Sequence, residues 1–167
     1  TLDASCLPTR FAAPLSLNDE ELEARLANPK SAKTLARAGK FTVIAAEEAT
    51  RDAGLEPGHT NAYRVGTSIG AGGLGLIDVE HTICTAKIIS DCVRPDGSRK
   101  IEFAQVWKNS LDQIHPLTPL KSLSNIPTAH VAINNNARGI CQTITTACTS
   151  SAQAIGEGFN QIRFGKA

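Results

Sequence analysis

Apolar residues in the first third of the chain recur at a helical spacing and predict two helices. Asn18 followed by Glu21 has the pattern of a capping box, so a short helix is predicted over residues 19–27. A longer helix is predicted over residues 31–53, ending at Gly54. Its apolar stripe consists of Leu35, Phe41, Ile44, Ala45 and Ala49.

In the rest of the chain, short apolar runs alternate with helical patterns. The runs at 64–69 and 140–146 predict buried strands, the second because it is rich in β-branched residues. Within 90–119, only 101–114 has a partly helical stripe. Helices are also predicted over 74–83, 127–133 and 150–164, the last with Ile155, Phe159 and Ile162 on one side. This alternation is typical of an α/β fold.

Composition limits the class of protein. With 167 residues, the chain is long enough for one domain that buries roughly 70% of its unfolded surface. A formal net charge of +1 gives no electrostatic reason to expect nucleic acid or an anionic membrane as a partner. No apolar run approaches the roughly 18 residues that span a bilayer, and residues 1–30 lack a signal-peptide pattern. We therefore expect a cytoplasmic protein.

The cysteines and histidines show no ligand pattern. The cysteines are Cys6, Cys84, Cys92, Cys141 and Cys148, an odd number without C-x-x-C spacing. The four histidines are scattered along the chain. Neither a disulfide framework nor a metal site is predicted.

A glycine-rich stretch at residues 66–77 has the spacing of a dinucleotide-binding motif. Gly70, Gly72 and Gly75 satisfy the pattern G-x-G-x-x-G after an apolar run. Asp91 lies about twenty residues further on, where that motif carries an acidic residue. A lone motif of this kind often occurs without a nucleotide, so a dinucleotide-binding protein is kept as a remote alternative.

Cys148 lies between a predicted strand and a predicted helix. The helix dipole and the unpaired N–H groups of the first helical turn favour a thiolate over a thiol. The same N–H groups can hold the oxyanion that forms when a thiolate attacks a carbonyl. A small apolar core residue is the alternative interpretation of Cys148, and the pattern alone leaves both open.

Residues 143–167 resemble the active-site segment of β-ketoacyl-(acyl carrier protein) synthases, the condensing enzymes of fatty acid and polyketide synthesis. The motif T-A-C-T-S at 146–150 carries the resemblance. Three earlier stretches agree in order: F-T-V-I-A-A-E-E-A with D-A-G-L, then I-G-A-G-G-L-G-L-I, then N-I-P-T-A-H. The resemblance spans roughly residues 35–167 and is interrupted at 84–116, where this chain is longer than usual.

The resemblance implies a thiolase-like fold, in which two similar α/β halves form layers of helix and sheet. It also implies a homodimer or a pair with a second synthase subunit. Residues 1–167 are expected to form the N-terminal part of a β-ketoacyl synthase domain, incomplete at both ends. The family's two catalytic histidines and its lysine belong to the missing C-terminal half, so this polypeptide alone is expected to be inactive.

The resemblance further implies the chemistry of the site. Cys148 would be the nucleophile that forms an acyl-enzyme, with its backbone N–H in the oxyanion hole. A malonyl unit on acyl carrier protein would then lose carbon dioxide and attack the acyl group. No cofactor or metal is required, because the phosphopantetheine arm of the carrier brings the substrates. Ala71, Gly72 and Thr149 are the expected substrate-binding residues, and Ala71 replaces an isoleucine that narrows the acyl pocket in many relatives.

Other residues are expected to be structural. In the family, the motif histidine that matches His130 belongs to a packed helix and is not part of the catalytic pair. Cys141 is expected in the core, and Trp107 in packing or an interface. Hydroxyl residues expected to support the turn around Cys148 are Thr145, Thr149, Ser150 and Ser151.

Two further functions stay open on the same fold. One is a thiolase-like acyltransferase that works without decarboxylation, which the second half of the protein would distinguish. The other is a non-catalytic partner subunit of a synthase, although such subunits replace the nucleophile and Cys148 is present. The residues determine neither the acyl chain length nor the choice between fatty acid and polyketide pathways.

Overall fold

The computed structural model describes residues 5, 8, 9, 11, 15–55, 61–72, 79–94 and 100–167. Two short parallel strands form the sheet at the centre of these residues. The helices are α1 (Asp19–Ala24), α2 (Arg37–Asp52), α3 (Val79–Asp91), α4 (Phe103–Gln113), α5 (Thr118–Lys121), α6 (Ile126–Asn134) and α7 (Ser150–Arg163). The strands are β1 (Thr67–Gly70) and β2 (Cys141–Ile144), and 3-10 turns occur at Pro29–Thr34, Ala62–Arg64 and Ala147–Thr149. This alternation confirms the predicted α/β class.

The two strands pair in register, from Thr67 opposite Cys141 to Gly70 opposite Ile144. Parallel neighbours require a crossover connection, and here the chain from α3 to α6 supplies it. Since the strands run in the same direction, the residues that follow each of them emerge at the same end of the sheet. The segments after β1 and β2 therefore lie at one edge.

Helices cover both faces of this sheet. On one face, α6 contacts β2 through the Thr128 and Thr143 hydroxyls, whose oxygen atoms are 2.7 Å apart. On the other face, the Ser68 hydroxyl donates a hydrogen bond of 2.9 Å to the Ala154 carbonyl oxygen in α7. Helix α2 packs against α6. The order of layers is thus α2, α6, sheet and α7, as expected for a thiolase-like half.

The apolar core lies among α1, α2 and α6. Burial of one leucine or isoleucine side chain stabilises a folded protein by about 1.5–3 kcal/mol. The buried members of the core are Leu22, Leu26, Leu35, Val43, Ile44 and Val131. Charge pairs close the rim of the core between α1 and α2. Lys40 Nζ lies 2.5 Å from Glu23 Oε1, and Arg37 pairs with Asp19. The capping box of Asn18 and Glu21 begins α1 as predicted.

The helix predicted over residues 31–53 is wrong in its first part. The structure has a 3-10 turn at Pro29–Thr34, and α2 starts only at Arg37. Leu35 and Ala36 between them have extended backbones. This break turns the side chain of Leu35 into the core, where it is 1% exposed. Burial of Leu35 therefore overrides the continuous helical pattern.

Other predicted boundaries differ by a few residues. Helix α1 ends at Ala24, before the predicted end at 27, and Leu26 then enters the core. The first strand starts at Thr67, because Ala62–Arg64 forms a 3-10 turn. Helix α3 extends to Asp91, well beyond the predicted end at 83. Its predicted start at 74 lies outside the described residues.

The elements predicted for the C-terminal third are confirmed, but the strand there is half-buried to exposed and not buried as predicted. Helix α6 runs over Ile126–Asn134 with Pro127 in its first turn, and β2 lies within the predicted strand. Helix α7 covers Ser150–Arg163, and Gly165 follows it with a φ of 68°. A positive φ favours glycine, so Gly165 terminates the helix as its position in the sequence indicates.

Candidate active site

Cys148 lies in the 3-10 turn between β2 and α7, at the end of the sheet where both strands finish. Its side chain is exposed, and the thiol is free. The predicted strand–cysteine–helix arrangement is therefore confirmed, and the alternative of a small core residue is wrong. An exposed thiol next to a helix N-terminus is accessible to an electrophile.

The residue before Cys148 has an unusual backbone. Ala147 has a φ of 52°, in the left-handed region that residues with a Cβ rarely adopt. Such a conformation costs on the order of 1 kcal/mol or more and persists only when its surroundings hold it. Ala147 lies between β2 and α7, where the chain turns so that α7 packs against both strands, and the exposed Cys148 follows it directly.

Hydroxyl groups hold this turn through a set of short hydrogen bonds. The Thr146 N–H donates to Ser150 Oγ at 2.8 Å, and the Ser150 hydroxyl donates to the Ala147 carbonyl at 2.7 Å. The Thr149 hydroxyl donates to the Thr146 carbonyl at 2.8 Å. The prediction that hydroxyl residues support the turn thus holds for Thr149 and Ser150. Sequence reasoning did not separate them, although Ser150 is buried and Thr149 is exposed.

Gly70, at the end of β1, lies directly against the start of α7. A Cβ at this position would be 2.5 Å from the Ser150 carbonyl carbon and from the Ser151 nitrogen. Only a residue without a side chain permits this approach, so Gly70 brings the strand and the active-site helix together. This contact explains a glycine that the sequence pattern attributed to a dinucleotide-binding motif.

The dinucleotide-binding alternative is not supported by the described residues. Asp91 is the last residue of α3, whereas the acidic residue of that motif follows a strand. A Cβ placed on Gly72 would meet no described atom within 4 Å, so no close approach there explains the glycine. The third glycine of the pattern, Gly75, lies outside the described residues.

Ala71 and Gly72 follow β1 at the same end of the sheet as Cys148. The Ala71 N–H donates to the Ile144 carbonyl at 2.9 Å, which continues the strand pairing by one residue. Ala71 is half-buried and Gly72 is exposed. The topology therefore places these two expected substrate-binding residues at the same edge as the nucleophile turn, and their role stays a prediction.

His130 is engaged away from the turn. Its Nε2 lies 2.9 Å from the Thr34 hydroxyl oxygen, which links α6 to the turn at Pro29–Thr34. Burial lowers the pKa of the His130 imidazole below its usual value of 6.5. This agrees with the expectation that His130 belongs to a packed helix.

The expectation for Cys141 is corrected, whereas an interface stays the prediction for Trp107. Cys141 is exposed and not in the core, because β2 has a strand neighbour on one side only among the described residues. Trp107 is 71% exposed on α4, so packing within the described residues does not account for it. The described cysteine that is buried is Cys92.

Two absences are found in the part of the chain that the structure describes. No three histidine, cysteine or acidic side chains there come together in a way that could hold a metal ion. None of the described helices is long and apolar enough to cross a bilayer.

Comparison with known proteins identifies the family. The family model for the β-ketoacyl synthase N-terminal domain matches residues 10–167. The ketoacyl synthase alpha subunit of tetracenomycin polyketide synthase from Streptomyces glaucescens is 30% identical over 143 residues, 84% of this chain and 30% of that protein. The 3-oxoacyl-(acyl-carrier-protein) synthase 2 of Coxiella burnetii is 29% identical over 160 residues, 96% of this chain and 33% of that protein.

A third relative extends the range of names. Nodulation protein E of Rhizobium leguminosarum bv. trifolii is 28% identical over 138 residues, 83% of this chain and 29% of that protein. The chain spans about three tenths of the length of these curated relatives. The family match covers both strands and every described helix, including the turn that carries Cys148. The chain therefore belongs to the β-ketoacyl synthase family and matches its N-terminal domain.

Proposed function

We propose that this chain supplies the nucleophile of a β-ketoacyl-(acyl carrier protein) synthase, an acyltransferase that forms carbon–carbon bonds. One observation carries the proposal: an exposed cysteine at a strained strand-to-helix turn, inside the region matched by the family model. The names of the relatives, which include a 3-oxoacyl-(acyl-carrier-protein) synthase and a polyketide ketoacyl synthase subunit, support this class of reaction.

In the first half-reaction, the Cys148 thiolate attacks the carbonyl carbon of an acyl thioester. The carbon–sulfur bond to the carrier breaks, and the carrier leaves as a thiol after taking a proton. The product is an acyl-enzyme on Cys148 Sγ. The backbone N–H of Cys148, in the turn that precedes α7, faces the carbonyl oxygen as negative charge develops on it.

In the second half-reaction, a malonyl thioester on acyl carrier protein loses carbon dioxide. The electron pair of the broken carbon–carbon bond becomes an enolate, which attacks the acyl-enzyme carbonyl. The β-ketoacyl product leaves on the carrier, and Cys148 is regenerated as a thiolate. Neither half-reaction consumes an oxidant, a reductant or a resident cofactor.

Substrate and partner contacts complete the proposal. Ala71, Gly72 and Thr149 line the acyl and thioester positions, which their place at the Cys148 end of the sheet supports. Acyl carrier protein delivers both substrates. The assembly is a cytoplasmic homodimer or a pair with a second synthase subunit, which the family resemblance supports.

The test uses the protein at its full natural length with acyl- and malonyl-carrier protein. Formation of a β-ketoacyl product with release of carbon dioxide supports the proposal, and Cys148→Ala should abolish it. Cys141→Ala is the matched control, because it removes another exposed thiol and should keep the activity. Condensation that uses acetyl thioester without decarboxylation would instead show the thiolase-like alternative. No acyl transfer by the wild type would show a non-catalytic subunit.

A further inference from the structure

The Ser150 side chain bridges the two sides of the strained residue before Cys148. Its oxygen accepts from the Thr146 N–H at 2.8 Å, and its hydroxyl hydrogen goes to the Ala147 carbonyl at 2.7 Å. Ser150 is only 3% exposed, so water does not compete for these bonds. The buried Ser150 hydroxyl therefore bonds to the backbone on both sides of the left-handed φ of Ala147, at the Thr146 N–H before it and at the Ala147 carbonyl after it.

The backbone of Ser150 is fixed independently of this bridge. Gly70 at the end of β1 approaches the Ser150 carbonyl so closely that a Cβ would be 2.5 Å away. The Ser150 N–H also donates to the Ala147 carbonyl. The hydroxyl is thus held at a defined point of the sheet and can fix the turn relative to it.

The other hydroxyl groups near Cys148 do not duplicate this bridge. Thr149 is exposed, and among the described residues its hydroxyl bonds only to Thr146 and Gln153. Ser151 is exposed, and its side chain makes no hydrogen bond to any described residue. Among the described side chains around this turn, Ser150 is the one that bonds to Ala147.

We propose that Ser150 is a positioning residue for Cys148. It keeps Ala147 left-handed and thereby holds the thiol in its exposed position in the turn. Ser150 does not touch the reacting atoms. Its loss should therefore reduce the fraction of molecules in which Cys148 is poised to attack, and lower kcat more than it changes KM. The catalytic part of this inference rests on the proposed function.

The test measures the rate at which iodoacetamide alkylates Cys148, resolved by peptide mass, in the protein at its full natural length. This readout needs neither carrier protein nor condensation, so it is independent of the proposed reaction. Ser150→Ala is expected to slow alkylation of Cys148 about tenfold and to leave the rate at exposed Cys141 unchanged. Ser151→Ala, the same chemical change one residue later, should leave both rates unchanged.

A double variant separates positioning from general packing. Glycine adopts a positive φ without strain, so Ala147→Gly in the Ser150→Ala background should restore the Cys148 rate to within about threefold of wild type. Loss of packing would not be repaired by this change. If Ser150→Ala does not fold, the double variant alone carries the test against the same wild-type rate.

The inference is overturned if Ser150→Ala alkylates at the wild-type rate at Cys148. It is also overturned if Ala147→Gly fails to restore the rate. Slowed alkylation of Cys148 in Ser150→Ala, together with a wild type that forms no β-ketoacyl product, would contradict the proposed function while leaving the positioning role intact.

Discussion

At the scale of single residues, a small number of backbone and hydroxyl groups hold the turn that carries Cys148. Cys148 is exposed, and its immediate surroundings are backbone groups and two hydroxyls that hydrogen-bond to the turn. No described acidic or basic side chain hydrogen-bonds to Cys148. Among the described residues, the features expected to promote its reactivity are therefore the backbone geometry of the turn and the start of α7.

Ala71 allows a test of substrate size at this scale. It is half-buried and bonds through its N–H to Ile144 beside the nucleophile turn. If Ala71 lines the acyl pocket, Ala71→Ile in the protein at its full natural length should shorten the preferred acyl chain. Each excluded methylene is worth about 0.8 kcal/mol, or roughly a fourfold change in kcat/KM. An unchanged order of kcat/KM across acyl chain lengths would contradict this assignment.

His130 predicts a dependence of stability on pH. Because its pKa is lowered in the folded state, the unfolded chain binds more protons between the lowered pKa and 6.5. The contribution of His130 to the free energy of unfolding is fully present above pH 6.5 and is lost as the pH falls through the lowered pKa. The free energy of unfolding, measured by urea titration at several pH values, should therefore fall below pH 6.5.

A substitution isolates this contribution. His130→Gln removes the titrating ring while keeping an amide that can meet the Thr34 hydroxyl, so it should flatten the slope below pH 6.5. His115→Gln makes the same chemical change at an exposed histidine and serves as the comparison. Equal slopes for wild type and His130→Gln would show that His130 is not responsible.

At the scale of elements, the contact between β1 and α7 is the close approach that builds the site. Gly70→Ala would place a Cβ against the backbone of Ser150 and Ser151, which cannot move as a flexible side chain would. We expect it to reduce the free energy of unfolding by about 1–3 kcal/mol. Thermal or urea unfolding of the two proteins measures this difference.

Gly156 provides a control of opposite sign. It lies in α7, and a Cβ there would meet no described atom within 4 Å. Because alanine is the better helix former, Gly156→Ala should raise the free energy of unfolding by about 0.5–1 kcal/mol. A Gly70→Ala protein as stable as wild type would contradict the role given to the β1–α7 contact.

The sequence predicts correctly those elements in which local signals and tertiary packing agree. Helices α6 and α7 were predictable because local signals, Pro127 at the start of one and Gly165 after the other, agree with their tertiary contacts. The break at Leu35 was not, because a side chain that fits the core overrides a continuous helical pattern. Whether Cys141 is exposed depends on the elements that pack around the sheet, and a local sequence pattern does not predict that packing.

The site shows the same division. The β-branched residues before Cys148 and the helical pattern after it predict its placement between a strand and a helix. The positive φ of Ala147, the buried hydroxyl of Ser150 and the role of Gly70 are long-range or conformational properties. A glycine pattern was therefore open to a nucleotide interpretation until the strand and helix were seen in contact.

At the scale of the whole molecule, the described residues leave large apolar surfaces uncovered. Helix α7 buries Ser150 and Ala154, whereas Ile155, Phe159 and Ile162 are 62–74% exposed on its other side. Phe103, Trp107 and Leu111 form a second exposed stripe on α4. Surfaces of this kind mark contacts with other parts of a protein or with partners. They agree with a match limited to about three tenths of the length of the relatives.

Detection of the acyl-enzyme is the most direct test of Cys148 as the nucleophile. The protein at its full natural length is incubated with acyl-carrier protein and without malonyl donor, and its mass and peptides are then measured. We expect one added acyl group on the peptide containing Cys148, retained in Cys141→Ala and absent in Cys148→Ala. An acyl group on any other residue, or a wild-type protein that stays unmodified while its Cys148 remains alkylatable, would contradict Cys148 as the nucleophile.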